Sequence, residues 1–488
     1  MEVLSPVPGP LWPWSDSTAR ENFKQVFTTA TKEGKNMRTK GKGISRREVL
    51  KLGAAAAASA AMPLVHVRAA GAAGKLSVGF WDHWVPAGNA AMKKQVEAWA
   101  KKNKVDVTAD FITSVGNKNL LTIAAEAQAK TGHDIQAFPT WEVGNNAENL
   151  EPVDDVINAL EKKYGKINPV SEYLAKVKGH WMAVPSSSGS QYKPSCGRIS
   201  YFKTQGLDLQ AMYPAKAEHT ALSDQWTWDT LLKYAGAAQK ANMPFALGLG
   251  QTSDNVDWVG ALFRSYGAEL VDAKGNITVK SDAVKQALEY MVKLTKLLPD
   301  EVYSYDDASN NRALISGKTA LIFNPPSSWA VAKRDNPSVA ADCWTFPTPA
   351  GPKGRFVPHL PYFWGIWSFS KNKGAAKDLL TFLMERQQVE EREIAVEGYD
   401  IPPFLSMSDF KIWSEVEPPR GTVFNYPVRP FHNATPSISA YPAPREIAVQ
   451  IYNRATVTTM VAKMAKGGQS MDQVLTWAQD ELEGFKRG

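Results

Sequence analysis

The stretch Lys75-Leu76-Ser77-Val78-Gly79-Phe80-Trp81 is the first of a series of strands and helices whose order determines the fold. It is mostly apolar and alternates in the manner of a buried strand. Two amphipathic helices and two further strands follow at short spacing. Because strands that alternate with helices pair in parallel, this order predicts an α/β sheet covered on both faces. The predicted elements are the helices Gly88–Lys101 and Leu120–Lys130 and the strands Val105–Phe111 and Ile135–Phe138.

Beyond these elements the chain continues to mix strands with helices. Gly179–Pro185 is an apolar stretch stopped by proline, and the small polar residues of Ser186–Gln191 follow it. Small residues absorb backbone rotation and offer hydroxyls and amides, so this junction predicts a crossing between two lobes. The other predicted helices are Trp226–Lys240 with Thr227 as N-cap, Asp257–Tyr266, Ser281–Leu297, Asn372–Val389, Arg445–Ala465 and Met471–Gly484, and the other predicted strands are Pro244–Leu249 and Phe363–Phe369.

Residues 37–72 have the three parts of an export signal, namely a basic start, an apolar middle and a small-residue end. The pair Arg46 and Arg47 before an alanine-rich run is typical of a twin-arginine signal, which exports folded proteins. The run is shorter than the roughly 20 apolar residues of a spanning helix. We therefore predict a periplasmic protein cleaved near Ala69 or Ala72, with residues 1–36 as an over-extended, disordered start.

The charge of the chain is concentrated in that leader. The 488 residues carry a formal net charge of +7. Residues 1–69 contain 11 Lys and Arg against 5 Asp and Glu, which leaves 45 basic and 44 acidic residues in the rest. This balance gives no electrostatic case for a nucleic-acid partner. About 415 residues follow the leader, which is too many for one compact core and predicts two lobes.

The chemistry-bearing residues form no enzyme or metal motif by spacing. The 7 histidines show no metal-binding pair, and Cys196 and Cys343 stand alone, so neither a metal nor a cofactor is expected. Those cysteines are compatible with a disulfide or with two buried thiols. Ser186–Ser190 lacks a nucleophile elbow. An exported enzyme that contains a cofactor or acts on carbohydrates stays an alternative. Glu142, Asp254 and Asp257 are the candidate carboxylates for glycoside cleavage, although nothing in the sequence brings them together.

Five short motifs occur in a fixed order along the chain after the leader. They are Thr131–Ile135, Gly179–Pro185, Gln225–Leu231, Gly317–Ala320 continuing through Ser328-Trp329, and Ser370–Ala376. Each motif is weak alone, but the ordered set resembles the extracellular solute-binding proteins of ABC importers, in the sugar-binding group related to maltose-binding protein. Two positions depart from that family's pattern, with His133 in place of proline and Ser328 in place of glycine.

The resemblance implies a two-lobed periplasmic-binding-protein fold of class II, in which hinge crossings join discontinuous lobes. It assigns residues 73–184 and 350–400 to the first lobe and residues 185–349 and 401–488 to the second. It also implies a monomer that closes on a small solute and delivers it to the transmembrane subunits of an ABC permease. No chemistry on the solute is expected.

The candidate ligand residues follow from what a sugar site needs. Flat aromatic faces stack against sugar rings, and short polar side chains bind hydroxyls. The 16 tryptophans of the chain make aromatic stacking the leading expectation. A small organic acid bound by an arginine, or a polyamine, stays an alternative. The residues with a loop context and the right chemistry are Trp84, Trp141, Ser188, Asn255, Trp329, Trp364, Tyr399, Tyr441 and Arg445.

Overall fold

The computed structural model describes residues 74–324 and 326–487. The predicted signal of residues 37–72 and the predicted start of residues 1–36 lie outside the described residues, so both stay predictions. None of the described helices is at once long enough and apolar enough to cross a membrane.

Strands and helices follow one another along the described chain, which confirms the predicted α/β class. The strands are β1 (Lys75–Trp81), β2 (Asp106–Ile112), β3 (Ile135–Pro139), β4 (Lys176–Val177), β5 (His180–Trp181), β6 (Val184–Tyr192), β7 (Ser195–Arg198), β8 (Leu321–Phe323), β9 (Cys343–Phe346), β10 (Ala350–Gly351), β11 (Gly354–Ile366) and β12 (Ala434–Ser437). The α-helices are α1 (Pro86–Asn103), α2 (Lys118–Ala129), α3 (Glu142–Asn145), α4 (Asp154–Tyr164), α5 (Pro169–Ala175), α6 (Ile199–Thr204), α7 (Leu209–Met212), α8 (Trp228–Lys240), α9 (Ser253–Ser265), α10 (Asp282–Thr295), α11 (Ser309–Ile315), α12 (Ser327–Asp335), α13 (Pro337–Ala340), α14 (Lys373–Leu383), α15 (Arg386–Ala395), α16 (Ile412–Glu415), α17 (Arg445–Asn453), α18 (Thr456–Ala465) and α19 (Met471–Arg487).

The first sheet contains the strands that the sequence predicts for the start of the fold. Its order is β10-β11-β3-β1-β2, and β1 lies parallel to both β2 and β3. Val78 of β1 lies opposite Ile135 of β3, and both side chains are fully buried. Helix α1 packs on β2 and against α14 and α15. We call the part of the molecule built around β1, β2, β3 and β6 the first lobe.

A second, smaller sheet has the order β8-β7-β9 with antiparallel pairs, and we call the part built around it the second lobe. Helix α18 packs against α9 and α10, so the C-terminal helices return to this lobe. Thr227 caps α8 as predicted, since its Oγ1 accepts a hydrogen bond from the Thr230 amide at 3.2 Å. Cys196 and Cys343 lie on neighbouring strands as buried free thiols. The Cys196 thiol and burial hold the pKa of Cys343 well above its usual value.

Strand β11 runs through both lobes and forms the crossing between them. Its first half pairs with β10 and β12, and its second half pairs antiparallel with β3 and β6. Strand β6 keeps the chain in the first sheet as far as Tyr192, which pairs with His359. Residues 185–192, which the sequence assigned to the second lobe, are therefore hydrogen-bonded into the first sheet. The chain reaches the second sheet at Ser195.

Two long predicted helices are each divided in the structure. The predicted helix Arg445–Ala465 breaks at Ala455, whose φ of 51° is left-handed, and becomes α17 and α18. The predicted helix Asn372–Val389 becomes α14 and α15, because Glu385 has extended backbone before the second helix. Neither break is marked by a proline or a glycine, so neither could be predicted from the local sequence.

The predicted strand Pro244–Leu249 is also wrong. This segment is buried, but its amides donate to two separate parts of the second lobe instead of to one strand. The Ala246 amide bonds the Leu321 carbonyl at 3.0 Å, and the Leu249 amide bonds the Val302 carbonyl at 2.7 Å. The apolar pattern of the segment therefore reflects burial rather than a sheet ladder.

Two buried histidines make the fold sensitive to acid. Burial lowers the pKa of His359 to about 3, and burial together with Arg429 and Arg355 lowers the pKa of His432 to about 3. His432 also has a fixed tautomer, because its Nδ1 accepts from the Arg429 amide at 3.3 Å and its Nε2 faces Asn425 Oδ1 at 3.1 Å. Protonation of Nδ1 removes that acceptor.

We expect the protein to lose stability as the pH falls below about 6.5, where histidines of the unfolded chain begin to protonate. The stability is fully present above that pH and is lost progressively toward pH 3. Each buried histidine should remove about 2–3 kcal/mol from the free energy of unfolding between pH 7 and pH 4.5. Urea unfolding at the two pH values measures this difference in the free energy of unfolding. His359→Phe should reduce the difference by that amount, with His219→Phe at an exposed site as the control, and an unchanged difference would contradict the assignment.

Candidate functional site

A cavity of about 300 Å³ lies between the two lobes. The first lobe contributes residues that follow β2 and β3 together with α3, and the second lobe contributes the start of α9 and the end of α17. Sites in open α/β sheets lie beyond the carboxyl ends of parallel strands, and this cavity has that position. Its lining residues are Ser114, Asn117, Asn119, Leu120, Ala124, Pro139, Thr140, Glu142, Asn145, Gln251, Thr252, Ser253, Val256, Asp307, Leu360, Tyr362, Tyr452 and Asn453.

Polar side chains reach the cavity where strands end and helices begin. Asn117 precedes α2 with a left-handed φ of 58°, and Thr140 follows β3 with a φ of 41°. Thr252 has extended backbone as the N-cap residue of α9. Short polar residues are favoured at helix starts, and asparagine tolerates the left-handed backbone of tight turns. The local backbone therefore places hydroxyls and amides around the cavity.

A buried ion cluster lies on the second-lobe side of the cavity. Lys193 Nζ contacts Asp254 Oδ1 at 2.8 Å and Asp257 Oδ2 at 2.6 Å, and the lysine side chain is fully buried. The other oxygen of Asp254 accepts from the amides of Asn324 at 2.8 Å and Asn310 at 3.2 Å. Burial alone would lower the pKa of Lys193, but the two carboxylates outweigh it and raise that pKa. Lys193 therefore holds its charge between α9 and the end of β6.

Glu142 joins the two lobes at the cavity edge. Its Oε1 accepts from Asn453 Nδ2 of α17 at 2.7 Å. Its Oε2 accepts from Asn145 Nδ2 at 3.0 Å and from Asn146 Nδ2 at 3.2 Å. The carboxylate is thus surrounded by amide donors from both lobes.

Three polar atoms at the cavity make no hydrogen bond within the described part of the chain, namely Tyr452 OH, Thr252 Oγ1 and Asp307 Oδ1. Tyr452 is only 7% exposed, and burial holds its pKa well above its usual value. Burial and the negative charge of Asp254 raise the pKa of Asp307 to about 7. Thr252 lies beside Asp307, and Asp257 and Thr140 lie beside Tyr452, but none of these neighbours is in hydrogen-bond geometry with the three atoms. Buried polar atoms are almost always hydrogen-bonded in proteins, so the group points to a further polar partner.

The structure places the nine predicted ligand residues away from the lining of this cavity. Four of them are about 1% exposed, namely Trp141, Trp329, Trp364 and Tyr399. Trp141 Nε1 donates to the Ser439 carbonyl at 3.1 Å, and Trp329 Nε1 donates to the Pro418 carbonyl at 3.0 Å. Their indole nitrogens are therefore already bound to the backbone. The contact of any of the nine with a solute stays a prediction.

Tyr399 and Trp364 lie in the core of the first lobe and its crossing. Tyr399 OH donates to Gln191 Oε1 at 3.0 Å on β6. The Trp364 ring lies 5.6 Å from that of Phe80, and the Arg392 guanidinium lies 5.8 Å from the Trp364 ring centroid. Both side chains thus have protein partners that account for their burial.

Tyr441 and Arg445 belong to a second surface group beside α5. The Arg445 guanidinium donates to the Tyr173 carbonyl and lies 5.6 Å from the Tyr173 ring. Tyr441 packs edge-on against Tyr173 at 5.2 Å, and the Arg264 guanidinium lies 4.4 Å from the Tyr441 ring centroid. Arg445 is therefore engaged with the backbone outside the cavity.

The remaining three candidates lie in three different places. Asn255 Nδ2 donates to the Tyr305 carbonyl at 3.1 Å, and Ser188 is half-buried on β6. Trp84 lines a separate open groove, where Lys333 of α12 pairs with Glu397 at 2.6 Å. That ion pair is a second contact between the lobes.

The comparison with protein families settles which family this chain represents. Residues 84–390 match the model of the bacterial extracellular solute-binding protein. The chain belongs to that family. As a bacterial extracellular solute-binding protein it is an exported protein, and the family members are binding proteins. No curated protein matches the sequence.

Solved structures of sugar-binding proteins share the fold of this solute-binding protein. T. maritima MalE3 with bound maltose has 19% identity and a TM-score of 0.67, over 84% of this chain and 99% of the other. The GacH receptor of Streptomyces glaucescens has 18% identity and a TM-score of 0.66, over 85% and 99%. A sugar transporter from Arthrobacter chlorophenolicus A6 with bound laminaribiose has 17% identity and a TM-score of 0.64, over 85% and 99%. At these identities the likeness establishes the two-lobed fold.

Proposed function

We propose that this solute-binding protein captures a sugar or related polyol in the cavity between its lobes and delivers it to an ABC permease. The observation that carries the proposal is the ring of polar side chains around the 300 Å³ cavity, in which Tyr452 OH makes no hydrogen bond within the described residues. A volume of about 300 Å³ is at the lower end of the usual range for small-molecule sites. It suits a solute of one or two rings.

The relatives support a sugar as the class of solute. Three structures of similar fold were solved with bound maltose, acarbose or laminaribiose. The lining of this cavity suits hydroxyl groups, since amide and hydroxyl side chains both donate and accept. The organic-acid alternative has less support, because Arg445 contacts Tyr173 rather than the cavity.

Closure of the lobes is the proposed mechanism, with no bond made or broken in the solute. Contacts such as Glu142–Asn453 and Lys333–Glu397 join the lobes at the cavity edge and at the Trp84 groove. A ligand that touches both lobes binds the closed form better and shifts the population toward it. Export through the twin-arginine route and action as a monomer belong to the same proposal.

A panel of neutral mono- and disaccharides should raise the melting temperature of the purified protein. A ligand present at about 100 times its Kd stabilises the folded state by about 2.7 kcal/mol. Differential scanning fluorimetry measures the shift, and isothermal titration calorimetry on the hits gives Kd. Recovery of the sugar unchanged after incubation would support a binding role, and cleavage of a glycosidic bond would contradict it.

Tyr452→Phe should weaken solute binding about tenfold and leave the stability unchanged or higher, since it removes a hydroxyl that has no partner in the described structure. Tyr173→Phe is the matched control outside the cavity. Tyr173 OH donates to the Ala443 carbonyl at 3.2 Å, so that variant should lose about 1 kcal/mol of stability and keep its affinity. Equal affinities of Tyr452→Phe and the wild type would contradict the placement of the solute in this cavity.

A further inference from the structure

The charged groups around the cavity are unbalanced. Glu142 and Asp307 contribute carboxylates to the lining, and no lysine, arginine or histidine is among the lining residues of the described chain. On the second-lobe side, Lys193 is the one cation that contacts the Asp254 and Asp257 carboxylates in the described structure. Acidic groups therefore outnumber basic groups in the space that a solute would enter.

The protein does not neutralise the two lining carboxylates by ion pairs. Glu142 accepts hydrogen bonds from the neutral amides of Asn145, Asn146 and Asn453. Amide donors orient a carboxylate and stabilise its charge, but they leave its net charge in place. The charge of Asp307 is compensated even less, because its Oδ1 is buried without a hydrogen-bond partner among the described residues. The cavity is therefore a place where added positive charge lowers the electrostatic energy.

A second observation points to a ligand there. Tyr452 is more than nine-tenths buried and lines the cavity, and its hydroxyl makes no hydrogen bond within the described chain. Tyr362 lines the same space. Aromatic faces attract cations, and a phenol oxygen accepts a hydrogen bond from an ammonium group. Two tyrosines beside two carboxylates form the chemistry that recognises an amine.

We propose that the solute carries a protonated amine, which the cavity places between Glu142 and Asp307 while the surrounding amides and hydroxyls bind its polar groups. This inference rests on the proposed function of the cavity as the solute site. An amino sugar carries this amine and also has hydroxyl groups that can bind the neutral amides and hydroxyls of the lining. An aliphatic diamine presents the same cation without a sugar ring.

The test compares sugars that share one ring and differ in the group at C2, which is charged only in glucosamine. Glucosamine, N-acetylglucosamine and glucose are titrated into the full chain at pH 7.5, above the pKa of about 7 of Asp307, by isothermal titration calorimetry, with putrescine as the diamine. Glucosamine should bind at least tenfold more tightly than both neutral sugars. Putrescine binding above glucosamine would also support the amine and assign it to a diamine. Binding of a neutral sugar as tightly as glucosamine would overturn the inference and leave the proposed function intact.

Asp307→Asn tests the assigned carboxylate. The change removes charge with little change in shape, so the preference for glucosamine over N-acetylglucosamine should fall to about twofold or less. Asp306→Asn is the matched control, because Asp306 is exposed and bonded to Ser309 and Arg312 outside the lining. A full preference in Asp307→Asn would overturn the assignment. Failure of every sugar and amine to bind would overturn the proposed function itself, which is a different result from binding without charge preference.

Discussion

Replacing Lys193 by methionine should lower the free energy of unfolding by about 3–5 kcal/mol, because the change leaves two buried carboxylates without their cation. Lys193 is fully buried, and its two contacts to Asp254 and Asp257 are 2.8 Å and 2.6 Å long. Folded domains have a free energy of unfolding of only about 5–15 kcal/mol, so the variant should lose a large fraction of its stability. Urea unfolding at pH 7 measures the loss.

Two controls separate the buried cluster from a general effect of losing a lysine. Lys285→Met removes an exposed pair with Asp282 at 3.2 Å and should cost less than about 1 kcal/mol. The triple variant Lys193→Met, Asp254→Asn, Asp257→Asn should recover much of the loss, because the unpaired charges are then absent. The single variant should also become less stable as the pH rises from 5 to 8, because burial raises the pKa of Asp257 and the variant lacks the lysine charge that opposes this rise. A loss equal to that of Lys285→Met would refute the role of the cluster.

Gly189→Ala should cost about 2–5 kcal/mol of stability, since it combines a left-handed backbone with a crowded site. Gly189 has a φ of 87° on β6, and a Cβ there would lie 2.9 Å from Cγ of Tyr362 and 3.1 Å from Cε3 of Trp81. Its amide donates to Asp400 Oδ1 at 3.0 Å, which fixes the strand at this point. Neither the rings nor the backbone can move freely in the interior.

The matched control is Gly374→Ala in α14, where a Cβ would meet no atom within 4 Å. Alanine is favoured over glycine in a helix by about 0.5–1 kcal/mol, so that variant should gain stability. Thermal unfolding followed by circular dichroism compares the two variants. Unfolding of Gly189→Ala at the wild-type temperature would contradict the crowding of this site on β6.

The sheet of the first lobe was predictable from local pattern. The predicted strand at residues 75–81 coincides with β1, and Ile135–Phe138 lies within β3. Alternating and fully apolar runs carry that information because burial of the strand faces is what stabilises the sheet. The helix break at Ala455 was not predictable, because its left-handed backbone is marked by no local proline or glycine.

The residues that line the cavity could not be predicted from the sequence, for a different reason. It draws single residues from segments as distant as Asn117, Asp307 and Tyr452, and only the tertiary fold brings them together. The composition favoured tryptophans as ligand residues, whereas the indole N–H groups of Trp141 and Trp329 donate hydrogen bonds to backbone carbonyls. One sequence signal did exist, since Asp254 and Asp257 are three residues apart and therefore share one helix face.

Strand β11 has a mechanical consequence for opening and closing. Its 13 residues pair with β10 and β12 at one end and with β3 and β6 at the other. We expect such a strand to bend by small changes of backbone twist at many residues rather than by a large rotation at one residue. The elastic energy is then shared along the strand, and single substitutions in it should alter the amplitude of opening less than the loss of the Lys333–Glu397 tether.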